Sequence, residues 1–253
     1  MGQLKNEVFI CLDCEMTGLD LENDRIIEVA AVRFTIDEIL ETFSTLVNPE
    51  CPISNEALEI HKISQEMVAN APKIEEILPT LFKIMERYPI VGHGVEFDIK
   101  MIKKAAERLK FNTIIGNSIV IDTLRLARHY GDSPSNSLET LARHFNVSFD
   151  ESHRALADVQ VNIEVFKLLI HNRFSNLDQI LKLLSFPIKM KTMPLGKHKG
   201  RLFNEIPLQY LQWAANMDFD QDLLYSIRTE LKRRKKGGGF GEAANPFSDL
   251  KVD

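Results

Sequence analysis

Residues 7–15 (EVFICLDCE) form an apolar, β-branched and aromatic run that turns acidic at its end. A strand has a side-chain period of two, so Phe9, Cys11, Asp13 and Glu15 share one face and Val8, Ile10, Leu12 and Cys14 the other. Two further apolar runs, 25–35 (RIIEVAAVRFT) and 38–47 (EILETFSTLV), predict strands joined by a tight turn at Ile36 and Asp37. The three strands make an antiparallel meander that Pro49 and Pro52 end. A short buried strand is expected at 88–92 (YPIVG), stopped by Gly92 and Gly94. The period then changes. Phe97, Met101, Ile102, Ala105 and Leu109 recur at steps of three and four, which predicts a helix with Asp98 in its first turn. Ala155, Leu156, Val159, Ile163, Phe166, Leu169 and Ile170 predict another helix, starting near 153.

Past residue 174 the pattern shortens. Residues 174–186 read as a brief connecting helix, and Gly196 and Gly200 as the ends of a tight hairpin turn. Ile206 and Pro207 open a helix carrying Tyr210, Leu211, Trp213 and Ala214. A last helix, about 220–236, turns Leu223, Leu224, Ile227 and Leu231 inward. The glycine-rich start of 237–253 predicts a flexible tail, in which Asn245, Pro246 and Phe247 are a candidate docking peptide. The expected organisation is a main domain over 1–174, a connector over 175–186, a small domain over 187–236 and the tail.

With 253 residues, 44% of them hydrophobic, the chain can bury one full core and a small second one. It has no apolar run of 18 residues, so no membrane span is expected. MGQLKNEVFI lacks a charged-then-apolar leader, and three cysteines without evident pairing suit a reducing compartment, so a cytoplasmic location is expected. Cys11 and Cys14 form a C-x-x-C, but Cys51 is the only other cysteine and a structural zinc site needs four ligands. The net charge of −5 disfavours a nucleic-acid binder until its distribution is considered. Residues 187–236 hold eleven Lys/Arg against five Asp/Glu, a net of +6, whereas 1–186 hold nineteen against twenty-eight, a net of −9.

The acidic part contains the candidate chemistry. Asp13 and Glu15 point the same way, one pleat apart, where mutual repulsion and lost hydration favour a cation between them. Asp98 is open to two readings, a metal ligand or an acid that favours the helix dipole. His153 and Asp158 are five residues apart, a rotation of about 140° on one continuous helix. Both can serve one site only if His153 lies on the lead-in and Asp158 one turn deeper. Histidine has an ordinary pKa of about 6.5 and can accept a proton near neutrality.

Together these segments resemble the DEDDh (DnaQ-like) 3′–5′ exonuclease family, which includes the proofreading subunits of bacterial replicative polymerases. The family's D-x-E-T-T-G-L reads here Asp13-Cys14-Glu15-Met16-Thr17-Gly18-Leu19, with Met16 for the first threonine. Its second motif reads His93-Gly94-Val95-Glu96-Phe97-Asp98, with Gly94 where asparagine is common, and its H-x4-D runs from His153 to Asp158. Residues 59–64 (EIHKIS) are similar to an I-H-G-I-T segment, with Lys62 for glycine, and 121–123 to an I-D-T segment.

The resemblance implies an α/β, ribonuclease-H-like fold: a mixed sheet flanked by helices, followed here by a small basic α+β domain. It implies that Asp13, Glu15, Asp98 and Asp158 bind two Mg²⁺ or Mn²⁺ ions, about 4 Å apart in such sites, and that His153 is the general base. The backbone of Met16, Thr17 and Gly18 would receive the terminal 3′-hydroxyl, Leu19 and Ile60 would wedge against the terminal bases, and His61 would touch a phosphate. The expected activity is hydrolysis of DNA from the 3′ end to 5′-mononucleotides, in proofreading or repair. The partner is nucleic acid with a free 3′ end, and a DNA polymerase is a further candidate partner. The same site acting on RNA, and a non-catalytic scaffold, are the alternatives. The G-K-x-K-G and I-P-x-x-Y-L-x-W patterns of the small domain are similar to an uncharacterised domain appended to such exonucleases.

Overall fold

The computed structural model describes residues 4–113, 115–130, 133, 135–149 and 154–237. His153 and the Asn245-Pro246-Phe247 segment lie outside them. The chain divides into two compact units, 1–185 and 186–253.

The first unit is built on a five-stranded sheet. Its strands are β1 (Phe9–Met16), β2 (Ile26–Phe34), β3 (Ile39–Leu46), β4 (Ile90–Gly92) and β5 (Val120–Asp122), in the order β3-β2-β1-β4-β5. The β1, β2 and β3 meander is antiparallel, and β1, β4 and β5 run parallel. The antiparallel meander is the one expected from the alternation, and the mixed sheet is the one the resemblance implies. The helices between are α1 (Asn55–His61), α2 (Gln65–Val68), α3 (Ile74–Met85), α4 (Glu96–Arg108), α5 (Thr123–Tyr130), α6 (Leu138–His144), α7 (Ala155–Ile170) and α8 (Leu177–Leu184).

The two faces of β1 meet different partners. Ile10, Leu12, Cys14 and Met16 join one core with Ile77, Leu78 and Leu81 of α3 and Ile99, Met101 and Ile102 of α4. The opposite face meets α7. Phe9, Phe34 and Phe166 form a closed aromatic triangle, with centroids 5.4 to 6.1 Å apart. Cys11 lies against α7, where the Asn162 amide donates to its sulfur at 3.5 Å. Helix α7 is therefore buried well beyond a single stripe: Val161 and Val165 are covered as well as Val159, Ile163 and Phe166. Cys11 and Cys14, three apart on a strand, face opposite sides, so the C-x-x-C makes no joint site.

Only the start of β1 is paired with β4, Ile10 opposite Ile90 and Cys11 opposite Val91. Asp13 and Glu15 thus lie beyond the end of β4, on the side towards which β1 and β4 both run. The sheet changes from antiparallel to parallel pairing at β1, and its strand order reverses between β1 and β4, where ligand crevices form outside strand carboxyl ends. A bulge between Glu15 and Met16, where the register against β2 jumps from Glu28 to Ile26, twists the strand there.

The second unit is mainly helical: α9 (Leu208–Ala214) and α10 (Gln221–Gly237), joined by Met190, Met193, Phe203, Ile206, Leu211, Leu223 and Ile227 into its own core. The expected hairpin is a closed loop. Gly200 N–H donates to Met193 O and Met193 N–H to Arg201 O, but the ladder goes no further than one antiparallel bridge between Thr192 and Leu202. Helix α10 turns more than leucines inward. Asp222 and Ser226 accept from the backbone N–H groups of Ile188 and Met190, so the segment before α9 is held by side chains instead of a strand. Among the described residues no helix is long and apolar enough to cross a membrane.

Phe166 anchors α7 to the sheet and has no solvent exposure. Phe166→Ala should lower unfolding stability by about 3–5 kcal/mol in urea titration. A loss below about 1 kcal/mol would show that the aromatic triangle does not hold α7 in place.

Candidate active site

The chain leaves β1 through a turn that is fixed before any ligand arrives. Thr17 is buried; its hydroxyl donates to Asp24 at 2.7 Å and accepts from Arg25 N–H at 3.0 Å. Its N–H donates to Arg25 O and its carbonyl accepts from Ser54 N–H. A Cβ on Gly18 would lie 2.5 Å from the Asp24 carboxylate, so any other residue there would push Asp24 off its bonds to Thr17 and Asp20. The Ser54 bond also fixes the start of α1, whose N-cap is the Ser54 hydroxyl accepting from Ala57 N–H. Leu19 and Ile60 are exposed apolar residues, 83% and 59% accessible, one on the turn after β1 and one on α1.

His61, next to Ile60, is buried. Its Nδ1 accepts from Ile63 N–H at 3.0 Å, which leaves the proton on Nε2. Burial lowers its pKa, the nearby Met16 backbone opposes that, and Nε2 reaches no hydrogen-bond partner. Lys62, where the resembling segment has glycine, is the αL cap of α1 at φ 59°.

Helix α4 supplies Asp98. The chain turns out of β4 through Gly94, whose φ of +72° suits glycine, and Gly94 N–H donates to Asp122. His93 is a packing residue of this corner. Its ring nitrogens meet the Thr123 hydroxyl and Asn136 O, and burial lowers its pKa to about 4, so it is neutral. Asp98 accepts from Cys14 N–H at 3.1 Å, a bond from the first turn of α4 to the end of β1. It is therefore more than an acid placed for the dipole of its own helix.

Helix α7 supplies Asp158. Oxygen atoms of Asp13, Glu15 and Asp158 all lie within 4.8 Å of one another, and Asp98 raises the pKa of Asp13 by its charge. Burial followed by repulsion from Asp98, Glu15 and Asp158 raises Asp13 well above the ordinary carboxylate range. Glu15 rises to about 8 through burial and then Asp158 and Glu28. Asp98 rises to about 7, chiefly through burial. Among the described residues, three of the predicted acids, Asp13, Glu15 and Asp158, thus share one cluster, and Asp98 from α4 is tied to the end of the same strand beside it. A set of carboxylates that repel one another in a partly dehydrated crevice suits a hard divalent cation with oxygen ligands.

Glu28 and Arg154 complete the arrangement, and the sequence reading gave them no role. Glu28, opposite Glu15 across β1 and β2, is buried. Arg154 meets it with Nη2–Oε1 at 2.6 Å and Nε–Oε2 at 3.0 Å, and Glu28 also accepts from Ala155 N–H at 3.0 Å. Helix α7 is therefore capped by a carboxylate from β2, which sets the height of Asp158 against β1. The available signal was a single acid inside an otherwise apolar run, since a buried carboxylate requires a partner.

A ribonuclease-H-like sheet with acids converging where its pairing switches is the architecture of a nuclease domain. The RNase T family model, described as an exonuclease, matches residues 10–166. The chain belongs to this exonuclease family, of the DEDDh type. It is 39% identical over 159 residues to the DNA polymerase III PolC-type of Caldanaerobacter subterraneus subsp. tengcongensis, covering 62% of this chain and 11% of that protein. It is 34% identical over 163 residues to the same polymerase type of Clostridium perfringens, covering 64% and 11%. The chain thus spans about a tenth of the length of these curated relatives. Exonuclease X in complex with 5′ overhanging duplex DNA has a similar structure, with TM-score 0.56 and 25% identity over 69% of this chain and 98% of that one. The E. coli ExoI–ssDNA complex shares the fold at TM-score 0.61 and 19% identity, covering 71% and 43%. A second family model, described as "Putative quorum-sensing-regulated virulence factor", matches residues 179–227.

Two outcomes follow from the site. Glu15, ordinarily near 4.5, is raised to about 8, so between those values the native state keeps a proton that the unfolded chain has lost. Without divalent cation, stability should fall as pH rises through that window. Cation binding must release these protons, so the cation-induced rise in melting temperature should be larger at pH 8 than at pH 6; calorimetry with an equal rise at both would contradict the repulsion account. Glu28→Ala should cost about 2–3 kcal/mol, less than a fully buried pair because the Arg154 side chain is 38% exposed. Glu28→Gln, which can still accept from Ala155, should cost less; urea titration showing no loss for either would remove the cap from the account.

Proposed function

We propose that the chain hydrolyses DNA from the 3′ end and releases 5′-mononucleotides, with Asp13, Glu15, Asp98 and Asp158 holding two Mg²⁺ or Mn²⁺ ions. The observation that carries this reading is the convergence of three carboxylates within 4.8 Å, with Asp98 tied to the same strand end. The PolC-type relatives and the DNA-bound Exonuclease X support DNA as the substrate. The PolC relatives also support work beside a polymerase, in proofreading or repair.

Bound divalent cations supply charge stabilisation to the attacking water and to the departing 3′-oxygen. The protein supplies the rest. Asp98 ties α4 to the end of β1, and Glu28 with Arg154 fixes the first turn of α7, so the acids are placed before substrate binds. The turn at Met16, Thr17 and Gly18 is locked by Asp24 and Ser54, and presents Leu19 as an exposed apolar edge for a terminal base. Ile60 offers a second such edge. The partnerless Nε2–H of His61, near Met16, is a donor that a substrate oxygen would complete. His153 takes the proton of the attacking water as the P–O bond to it forms and the P–O3′ bond breaks. The departing 3′-oxygen gains its proton from solvent.

End-labelled single-stranded DNA, mismatched duplex and RNA of matched sequence provide the test, with and without EDTA. Laddering of DNA from the 3′ end that EDTA stops is expected, with RNA cut more slowly. Asp13→Ala or Asp158→Ala should lower the rate by at least about a thousandfold. His153→Ala should slow hydrolysis while sparing cation binding. Full activity in either aspartate variant, or faster cutting of RNA, would overturn the corresponding part of the proposal.

A further inference from the structure

The second unit is charged unevenly. Of the five acids in 187–236, Asp222 and Glu230 are buried and Asp220 precedes α10, whereas Glu205 and Asp218 are exposed. Asp222 is buried on Ile188 N–H, Asp220 caps α10, and Glu230 is clasped by Arg233 and Arg234, which lower its pKa to about 2. Its cations face outward, with Lys189, Lys191, Lys197, Lys199 and Arg201 all exposed. Two of the cationic segments meet. Arg201 donates to Glu205 O at 2.9 Å, and Arg234 donates to Phe203 O and Asn204 O at 2.9 and 3.0 Å. One short turn therefore receives a guanidinium from the Gly196–His198 side and another from the end of α10. The loop bearing Lys197, Lys199 and Arg201 and the Arg234 end of α10 thus meet at this turn, and together they form a basic face on which Glu205 is the exposed acid.

Three aromatic rings rise beside that face. His198, under Arg201, packs edge-on to Tyr210 at 4.5 Å between centroids, and Tyr210 packs against Trp213 at 5.3 Å. Trp213 ends the ladder and is 52% exposed. A tryptophan needed only for the small core would be turned towards Leu211 and Ala214, which are fully buried on the same helix. A free ring face next to oriented cations is the pairing that single strands use, stacking a base while the phosphates meet lysine and arginine.

We propose that this face binds single-stranded nucleic acid, with a base stacked on Trp213 and neighbouring phosphates on Lys197, Lys199 and Arg201. A duplex hides its base faces and an acidic protein has none, so both fit the ladder less well. The inference deepens the exonuclease reading by assigning the unpaired part of the strand to the second unit, but the binding itself requires no hydrolysis.

The full chain is titrated onto a fluorescent dT20 in EDTA, which stops any hydrolysis, and anisotropy is read at several salt concentrations. Lys197→Glu with Lys199→Glu should weaken binding at least tenfold and lower the slope of log affinity on log salt by about 1.4, for two phosphate contacts on a single strand. Trp213→Ala should weaken it roughly tenfold with the slope unchanged, and Trp213→Phe should restore most of it. Hydrolysis of the p-nitrophenyl ester of thymidine 5′-monophosphate, which carries a single nucleotide, should be the same in every variant. Unchanged anisotropy in the lysine and tryptophan variants would overturn the proposal. So would displacement of dT20 by poly-glutamate as effective as displacement by unlabelled dT20, which would indicate an acidic protein partner. If the wild type leaves the ester intact while the binding losses hold, the hydrolytic reading falls and this site stands.

Discussion

Asp13, Glu15, Asp98 and Asp158 are held close together although their charges oppose it, and much of the first unit serves to impose that closeness. Burial and the repulsion of neighbouring carboxylates hold Asp13 well above the ordinary range and raise Glu15 to about 8 and Asp98 to about 7. The packing resists the repulsion from several directions. The Phe9, Phe34 and Phe166 triangle fixes α7 to the sheet, the Cys14 N–H fixes α4 to β1, and Glu28 with Arg154 fixes the first turn of α7. A divalent cation would relieve the repulsion, so fold stability, proton binding and cation binding are one linked equilibrium.

The location of the cluster follows from the sheet. Strand β1 outruns its parallel neighbour β4 and stands where the pairing direction changes. The core pattern of β1 continues on the face towards α3 and α4, while the face towards α7 changes from Phe9 and Cys11 to Asp13 and Glu15. The strand is thus apolar where α7 covers it and acidic where the helix begins, and the bulge after Glu15 turns the chain into the Thr17–Gly18 turn.

The meander, β4, α4 and α7 were legible from periodicity, because each has a regular apolar repeat. The acids of the site were legible because carboxylates stand beside apolar runs at motif spacing. Glu28 was not, since a strand pattern shows that a residue is buried but not which distant arginine meets it, and Arg154 is 126 positions away. The wide burial of α7 was underread for a related reason: Val161 and Val165 are covered by elements that local periodicity does not reveal. In the second unit, Gly196 and Gly200 correctly marked a tight loop, yet the backbone groups that a hairpin would have paired are taken by Asp222 and Ser226. Polar residues in a helix sequence look solvated, and only tertiary structure shows them turned inward.

Diffraction from crystals soaked in manganese and a mononucleotide, read at the manganese absorption edge, tests the central claim most directly. The account predicts anomalous density among the oxygens of Asp13, Glu15, Asp98 and Asp158, with α4 and α7 where they stand without the ion. An ordered sheet with these four side chains in place and no manganese among them would contradict it.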